Sequence, residues 1–209
     1  MLMSNDDTEG FDLPSLFNYY FEHAAEERAN KWNSESLLMR GINRHSKTIL
    51  MKIIRDLGID GDYGITARSG SSGKWAKTPY ICIIMGKPNG FYKQYSAEKG
   101  VYPAYLFSDT CSEIYLSFMI AVGSKTKREL NHYIEIIRQD VGETSFSYDT
   151  DSMTIGDDAH LYREATVFFR CYKKGEPLSV EMLINDLSKM IHIQRKLGLD
   201  YYRNLVVIK

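Results

Sequence analysis

The chain has 209 residues, of which 44% are hydrophobic and 25% are charged, and its formal net charge is −1 at pH 7. A chain of this length can bury a substantial core, and its overall charge balance gives no indication of a polyanionic partner. The acidic, polar N-terminus does not have the character of a signal peptide, and no apolar run reaches the roughly 18 residues that a membrane span needs. We therefore expect a cytoplasmic protein with no membrane partner.

Two helices are predicted before the first strand. Residues 1–10 are polar and acidic, which is typical of a flexible tail, and apolar side chains then recur at helical spacing over 11–30. A second helix is predicted over 34–57, with a weak point at 41–43 where the chain reads Gly-Ile-Asn. Residues 63–68 then have strand character.

The middle of the chain is rich in strand-forming residues. Strands are predicted over 79–86, 91–95, 101–108 and 113–122, with a hairpin turn at 87–90. A helix over 125–139, a short strand over 145–148 and a strong strand over 161–172 are predicted to follow.

A closing helix is predicted over 178–197, with Ser179 as its N-cap. The apolar residues 205–208 then suggest either an edge strand or a contact for a partner. We expect one α+β domain over 11–198: a mostly antiparallel, curved sheet with N-terminal helices and a C-terminal closing helix. Residues 199–209 are expected to form a C-terminal extension.

Positive charge is concentrated in one segment of this near-neutral chain. Between 66 and 99 the single acid is Glu98, and the Gly-Ser-Ser-Gly run at 70–73 is predicted to be a flexible loop. Lysine and arginine beside mobile backbone suit phosphate groups, so this basic segment favours nucleic-acid binding over the alternative of a solvated lysine-rich face. The other cations of the segment are Lys87 and Lys99, and the candidate phosphate-binding residues are Arg68, Ser71, Ser72, Lys74, Lys77 and Lys93.

Aromatic side chains accompany the basic segment. Alternation along the strand over 101–108 places Tyr102 and Leu106 on the same face, and Tyr80 enters from the neighbouring strand. Aromatic rings can stack on a base, so these three residues form a candidate base pocket. The alternative, that they are core residues, stays open, and Trp75 is interpreted as a core residue beneath the loop.

No catalytic or metal-binding motif accompanies these residues. The three cysteines are isolated in apolar contexts, the five histidines lack metal-ligand spacing, and no glutamate is followed two positions later by lysine. The P-loop motif is incomplete, because Arg68 stands where its first glycine is required and Trp75 where a hydroxyl residue must follow the lysine. We therefore expect a binding module rather than an enzyme, with no catalytic residues, no metal and no cofactor.

Three segments, in order and spacing, resemble the MrcB-like N-terminal domain family of restriction systems, the DNA-binding domains found at the N-terminus of McrB. The segments are Gly-Lys-Trp-Ala-Lys-Thr-Pro-Tyr at 73–80, Gly-Val-Tyr-Pro-Ala-Tyr-Leu-Phe at 100–107 and Ile-Tyr-Leu-Ser at 114–117. Weaker similarity extends from the first helix to the helix that ends near residue 197.

The resemblance implies a specificity module that binds double-stranded DNA and rotates a modified cytosine out of the duplex into an aromatic pocket. By this resemblance, Tyr80, Tyr102 and Leu106 fall at positions that line the pocket, and Ser72 falls where an aromatic wedge intercalates. The resemblance also implies a restriction or defence system in which motor and nuclease activities belong to other chains.

Two other functions remain open at this point. The chain could be a nuclease with an unfamiliar metal centre built from Asp109, Glu113 or the acidic loop at 149–158. It could also be a protein-interaction subunit that keeps the fold but has lost base recognition. Cleavage assays with added metal separate the first of these from DNA binding, and capture of partners from the native cell separates the second.

Overall fold

The computed structural model describes residues 12–59, 63–85, 100–121, 126–156 and 160–207, with side chains described as far as residue 197. Within these ranges, the strands form one antiparallel sheet in the order β1-β2-β3-β4-β5. The strands are β1 (Tyr63–Ser71), β2 (Lys74–Met85), β3 (Val101–Phe107), β4 (Glu113–Ile120) and β5 (Thr166–Lys173). The predicted α+β fold with a mostly antiparallel sheet is confirmed.

Helices precede and follow the sheet, as predicted. They are α1 (Leu13–Ala29), α2 (Leu37–Arg40), α3 (Ser46–Asp56), α4 (Lys127–Val141), α5 (His160–Glu164) and α6 (Val180–Val207). The Ser179 hydroxyl accepts a hydrogen bond from the Met182 backbone N–H at 3.1 Å, which confirms the predicted N-cap of α6. No helix in the described part of the chain is both long and apolar enough to cross a membrane.

The two faces of the sheet are covered differently. On one face, which we call the helical face, the Phe17 ring of α1 packs 5.2 Å from the Tyr105 ring of β3, and α3 and α6 contribute to the same core. On the other, the second face, Met153 and Ile155 cover the sheet and are buried. The second face is therefore covered by the chain between α4 and β5.

The predicted weak point in the second helix becomes a π-helical turn, Gly41–His45, between α2 and α3. A side chain at Gly41 would bring a Cβ within 2.7 Å of Leu16 Cδ1, so glycine allows α1 to pack closely here. The helix predicted over 34–57 is thus continuous in direction but not in hydrogen-bond pattern.

Two sequence predictions at the C-terminal side were wrong. The strand predicted over 161–172 is instead α5 followed by β5, because Ala165 N–H bonds to the Leu161 carbonyl at 2.9 Å and closes a helical turn. Of the two interpretations of 205–208, the edge strand is wrong, because α6 continues to Val207. The strand predicted over 145–148 is reduced to one bridge, Ser147 to Phe169. The turn predicted at 87–90 and the strand at 91–95 lie outside the described residues.

Candidate nucleic-acid interface

A two-residue turn joins β1 to β2, so the prediction of a flexible loop at 70–73 was wrong. Ser71 pairs with Lys74 across the hairpin, and the turn residues Ser72 and Gly73 have φ values of 52° and 76°. Two consecutive residues in the left-handed region are typical of a type I′ turn, which matches the twist of the flanking strands. Lys74 and Lys77 are consequently strand residues, with backbone positions set by the sheet.

Close packing fixes the base of this hairpin. A Cβ at Gly70 would lie 2.3 Å from the Lys74 carbonyl oxygen and 2.7 Å from Trp32 Cδ1, so any larger residue would push the strands or the indole away. Trp75 packs against the core of the helical face, and its Nε1–H donates to the Asn30 carbonyl at 3.2 Å. This agrees with the interpretation of Trp75 as a core residue.

One cation, one hydroxyl and one aromatic ring meet beside the turn. Arg68 stands directly opposite Tyr80 in the β1–β2 register, and its guanidinium donates to Ser71 Oγ at 2.9 Å and lies close enough to the Tyr80 hydroxyl to lower its pKa. Tyr80 is half-buried, with its ring 6.0 Å from that of Tyr162 in an edge-to-face arrangement. Burial, followed by the nearby Cys82, raises the pKa of Tyr80, and Arg68 opposes this change, so the phenol is protonated at neutral pH.

The three predicted pocket residues share the second face of the sheet. Leu106 is the cross-strand partner of Tyr80, and Tyr102 and Leu106 belong to one buried cluster, which confirms the predicted alternation along β3. Tyr102 is 6% exposed and Leu106 is 1% exposed, and Met153 and Ile155 belong to the same buried cluster. Tyr80 is only partly buried and packs at the edge of this cluster, which we call the rim. Tyr102 and Leu106 lie within the cluster.

Hydrogen bonds attach this covering chain to the sheet. Glu113 Oε2 accepts from the hydroxyls of Tyr115 and Thr154, and the Thr154 backbone N–H donates to the Tyr115 hydroxyl at 2.9 Å. Lys173 Nζ lies 3.8 Å from Glu113 Oε1. Glu113, weighed above as a metal ligand, is therefore engaged in holding residues 153–156 on the second face.

The described residues do not form the metal centre that the nuclease alternative requires. Across the described ranges, no group of three or more histidine, cysteine, aspartate or glutamate side chains is placed to hold a metal ion. Asp157 and Asp158 lie outside those ranges. Burial raises the pKa of both Cys82 and Cys171 to about 12, so these thiols are protonated at neutral pH and are poor nucleophiles.

Lys77 lies apart from the group at the turn. A Cβ at Gly156 would be 3.4 Å from Lys77 Cβ and 3.1 Å from Asp109 Oδ2, which places Lys77 beside the β3–β4 turn and the covering chain. Arg28 of α1 ties these parts together: its guanidinium donates to the carbonyl oxygens of Lys77 at 2.9 Å, Ser108 at 3.2 Å and Asp109 at 3.3 Å.

The predicted phosphate-binding residues therefore divide into three groups. Ser71, Ser72 and Lys74 are exposed at the turn, with Arg68 exposed beside them. Lys77 is exposed three positions along β2 from Lys74, in the stretch where the register with β1 shifts, and it lies beside the covering chain. Lys93 lies outside the described residues.

Sequence analysis missed two contributors to this site. Tyr162 was placed in a strand that does not form, although its ring packs at the rim with Tyr80. Arg28 was one charge on a predicted amphipathic helix, and nothing in its spacing pointed to the distant carbonyl groups that it binds.

The chain matches the family described as MrcB-like, N-terminal domain, over residues 16–198. The chain belongs to this family. Membership confirms the resemblance identified from the sequence and supports a DNA-binding module of a restriction system. Comparison with curated proteins and with solved structures gives no significant match.

The segments that carry the resemblance form the centre of this MrcB-like domain. Residues 73–80 make up the end of the turn and the first half of β2, residues 101–107 are β3, and residues 114–117 lie within β4. These strands are consecutive neighbours in the sheet. The family motif thus forms both the exposed turn and the strands that carry Tyr80, Tyr102 and Leu106.

Proposed function

We propose that this MrcB-like domain binds double-stranded DNA through the β1–β2 hairpin and receives a modified cytosine at Tyr80. Arg68, Ser71, Ser72 and Lys74 contact phosphates, with Lys77 and Lys93 as further phosphate contacts. The observation that carries this proposal is the contact of the Arg68 guanidinium with both Ser71 and Tyr80 beside an exposed turn. Phosphate contacts set the position of the duplex, and an adjacent aromatic ring offers a stacking surface for a base.

The proposed pocket is the second face of the sheet, entered at the Tyr80 rim. Extracting a base costs a few kcal/mol of lost stacking and pairing, and stacking on an aromatic ring returns about 1–3 kcal/mol per base. Leu106, opposite Tyr80 in the register, supplies apolar contact for a methyl-sized substituent. Because Tyr102 and Leu106 are buried, full entry of the base requires Met153 and Ile155 to move away.

The turn offers a hydroxyl, not an aromatic wedge, at its tip. Ser72 is exposed in a left-handed backbone conformation. We assign this hydroxyl to a phosphate contact. In this proposal, solvent fills the space that the extracted base leaves in the duplex. In this proposal the domain is the specificity module of a restriction or defence system, and cleavage and translocation belong to a motor or nuclease subunit.

Replacing Arg68 and Lys74 together by glutamine tests the phosphate contacts. We expect binding to weaken about equally for unmodified, 5-methylcytosine and 5-hydroxymethylcytosine duplexes, with the salt slope reduced by about 0.9 for each lost contact. Titrations at several salt concentrations measure this slope. The matched control, Lys189→Gln with Arg195→Gln, removes the same two charges from the exposed side of α6. If the double variant has the same salt slope as the wild type, the hairpin is not part of the DNA interface.

Two further measurements separate this proposal from its alternatives. A fluorescent base analogue at the target position is expected to brighten on saturation when the base leaves the stack. An unchanged signal with specific binding retained means that the domain reads DNA from the groove. Metal-dependent cleavage by the isolated chain, abolished by Asp109→Ala or Glu113→Ala, would establish the nuclease instead.

A further inference from the structure

Helix α3 and the π-helical turn before it carry a row of exposed cations. Arg44, Lys47 and Lys52 are exposed, whereas Leu50 and Ile54 on the inner side of the helix are fully buried. Arg55 adds a fourth exposed cation, and Asp56 is the only acidic residue between 41 and 56. We call the side chains of Arg44, Lys47 and Lys52 the α3 basic row.

Among the described residues, some exposed cations of this domain have carboxylate partners, whereas the α3 basic row has none. Lys127 Nζ lies 2.7 Å from Glu164 Oε1, and Lys173 Nζ lies 3.8 Å from Glu113 Oε1. In the part of the chain that the structure describes, no carboxylate lies within salt-bridge distance of Arg44, Lys47 or Lys52. Arg44 and Lys47 are about one helical turn apart, where like charges repel, so an anion that bridges them is stabilised by the same arrangement.

The α3 basic row begins next to the hairpin. Asn43 Nδ2 donates to Ser69 Oγ at 3.0 Å, which fixes the π-helical turn against β1. Arg44 and Arg68 are each one residue away from this hydrogen bond. Burial, with the Arg40 and Arg44 charges, lowers the pKa of the neighbouring His45, so this imidazole is neutral at pH 7 and adds no charge to the row.

The length of the row suits a nucleic-acid backbone. At 1.5 Å per residue, Arg44 and Lys52 are separated by about 12 Å along the helix axis. This is the axial rise of roughly three to four base pairs at 3.4 Å per pair, and long flexible side chains extend the reach of each charge. A duplex that is bound at the exposed turn of the hairpin and also reaches α3 can therefore place several phosphates along the basic row.

We propose that Arg44, Lys47 and Lys52 form a second phosphate-binding surface, which contacts the backbone of the same DNA duplex that the hairpin binds. The inference rests on the proposed function, because it extends the footprint of that interface from the hairpin to α3. Its contribution is independent of sequence and of cytosine modification, since it involves phosphates alone.

The test is the triple variant Arg44→Gln, Lys47→Gln and Lys52→Gln, which keeps side-chain length and helix propensity. Three lost phosphate contacts reduce the salt slope by about 2.7, so the ratio of variant to wild-type Kd changes about 40-fold between 50 and 200 mM salt. The control is Lys189→Gln, Arg195→Gln and Lys196→Gln, which removes the same charges from exposed positions on α6. Thermal unfolding of both variants checks that they are folded.

The outcomes distinguish this inference from the proposal beneath it. A reduced slope in the α3 variant alone, restored by the charge-preserving Arg44→Lys, Lys47→Arg and Lys52→Arg, supports the second surface. Equal slopes for wild type, α3 variant and control overturn it and leave the hairpin interface standing. Equal reductions in the α3 variant and the control also overturn it, because net charge alone then accounts for the change. If the wild-type domain binds no duplex, both proposals fail.

Discussion

Tyr102→Ala is expected to lower the free energy of unfolding by about 3–5 kcal/mol, the usual cost of removing a buried aromatic ring. Tyr102 is 6% exposed and packs in the cluster that contains Leu106, Met153 and Ile155, so alanine leaves a cavity that these neighbours only partly fill. Chemical denaturation measures the loss directly. All DNA binding by this variant falls in parallel with the folded fraction.

Tyr80→Ala provides the contrast, because Tyr80 is only half-buried at the rim of the same face. We expect the fold to survive and binding to the preferred modified duplex to weaken by about 5- to 150-fold, which corresponds to the 1–3 kcal/mol of one stacked base. Weak non-specific binding is retained. Tyr80→Phe is the matched control, since it keeps the ring and removes the hydroxyl that Arg68 contacts.

These two variants decide between the pocket and the core. If Tyr80→Ala binds the modified duplex as tightly as wild type does, Tyr80 does not stack on a base. If Tyr80→Ala and Tyr102→Ala both lose stability and all binding together, the second face is simply core. A selective loss in Tyr80→Ala alone establishes the rim as the point of entry.

Arg28→Ala is expected to cost about 2–3 kcal/mol of stability, because charged hydrogen bonds are lost and carbonyl acceptors are left unsatisfied. The guanidinium contacts the Ala76, Lys77 and Ser108 carbonyl oxygens at 2.9–3.3 Å and so joins α1 to β2 and the β3–β4 turn. The midpoint of urea denaturation measures the change. Arg28→Lys is expected to recover part of it, since an ammonium group cannot reach all of these oxygens at once.

An exposed arginine serves as the control for Arg28. Arg195→Ala, on the outer side of α6, is expected to change stability by less than about 0.5 kcal/mol. Equal costs for Arg28→Ala and Arg195→Ala would show that the network of carbonyl contacts contributes little. Weaker duplex binding by folded Arg28→Ala would further indicate that it positions Lys77 for the phosphate backbone.

Local patterns in the sequence were sufficient to predict much of this architecture. The alternation of Tyr102 and Leu106 with Tyr105 and Phe107 predicted which side chains share each face, because successive residues of a strand point to opposite sides. The family was also recognisable from 73–80, 100–107 and 114–117, which form the end of the hairpin turn and parts of three adjacent strands.

Predictions failed where a local pattern was compatible with two structures. The Gly-Ser-Ser-Gly run at 70–73 suits a flexible loop, but pairing of β1 with β2 as far as Ser71 and Lys74 compresses it into a two-residue turn. The apolar stretch over 161–172 suits a strand, but the helical turn closed by the Ala165 N–H and the Leu161 carbonyl limits β5 to its second half. Long-range pairing decided the first case, and a competing helical turn decided the second.

The sequence by itself determined the fold class, the face of each residue in β3 and the family, because these follow from periodicity and from motifs contiguous in the chain. Only the tertiary structure decided that Arg68 meets Tyr80, that Met153 and Ile155 join Tyr102 and Leu106 in one buried cluster, and that Arg28 reaches carbonyl groups in two distant segments. Each of these contacts joins residues far apart in sequence. Such contacts depend on how the sheet, its covering chain and α1 pack together, which residue spacing does not encode.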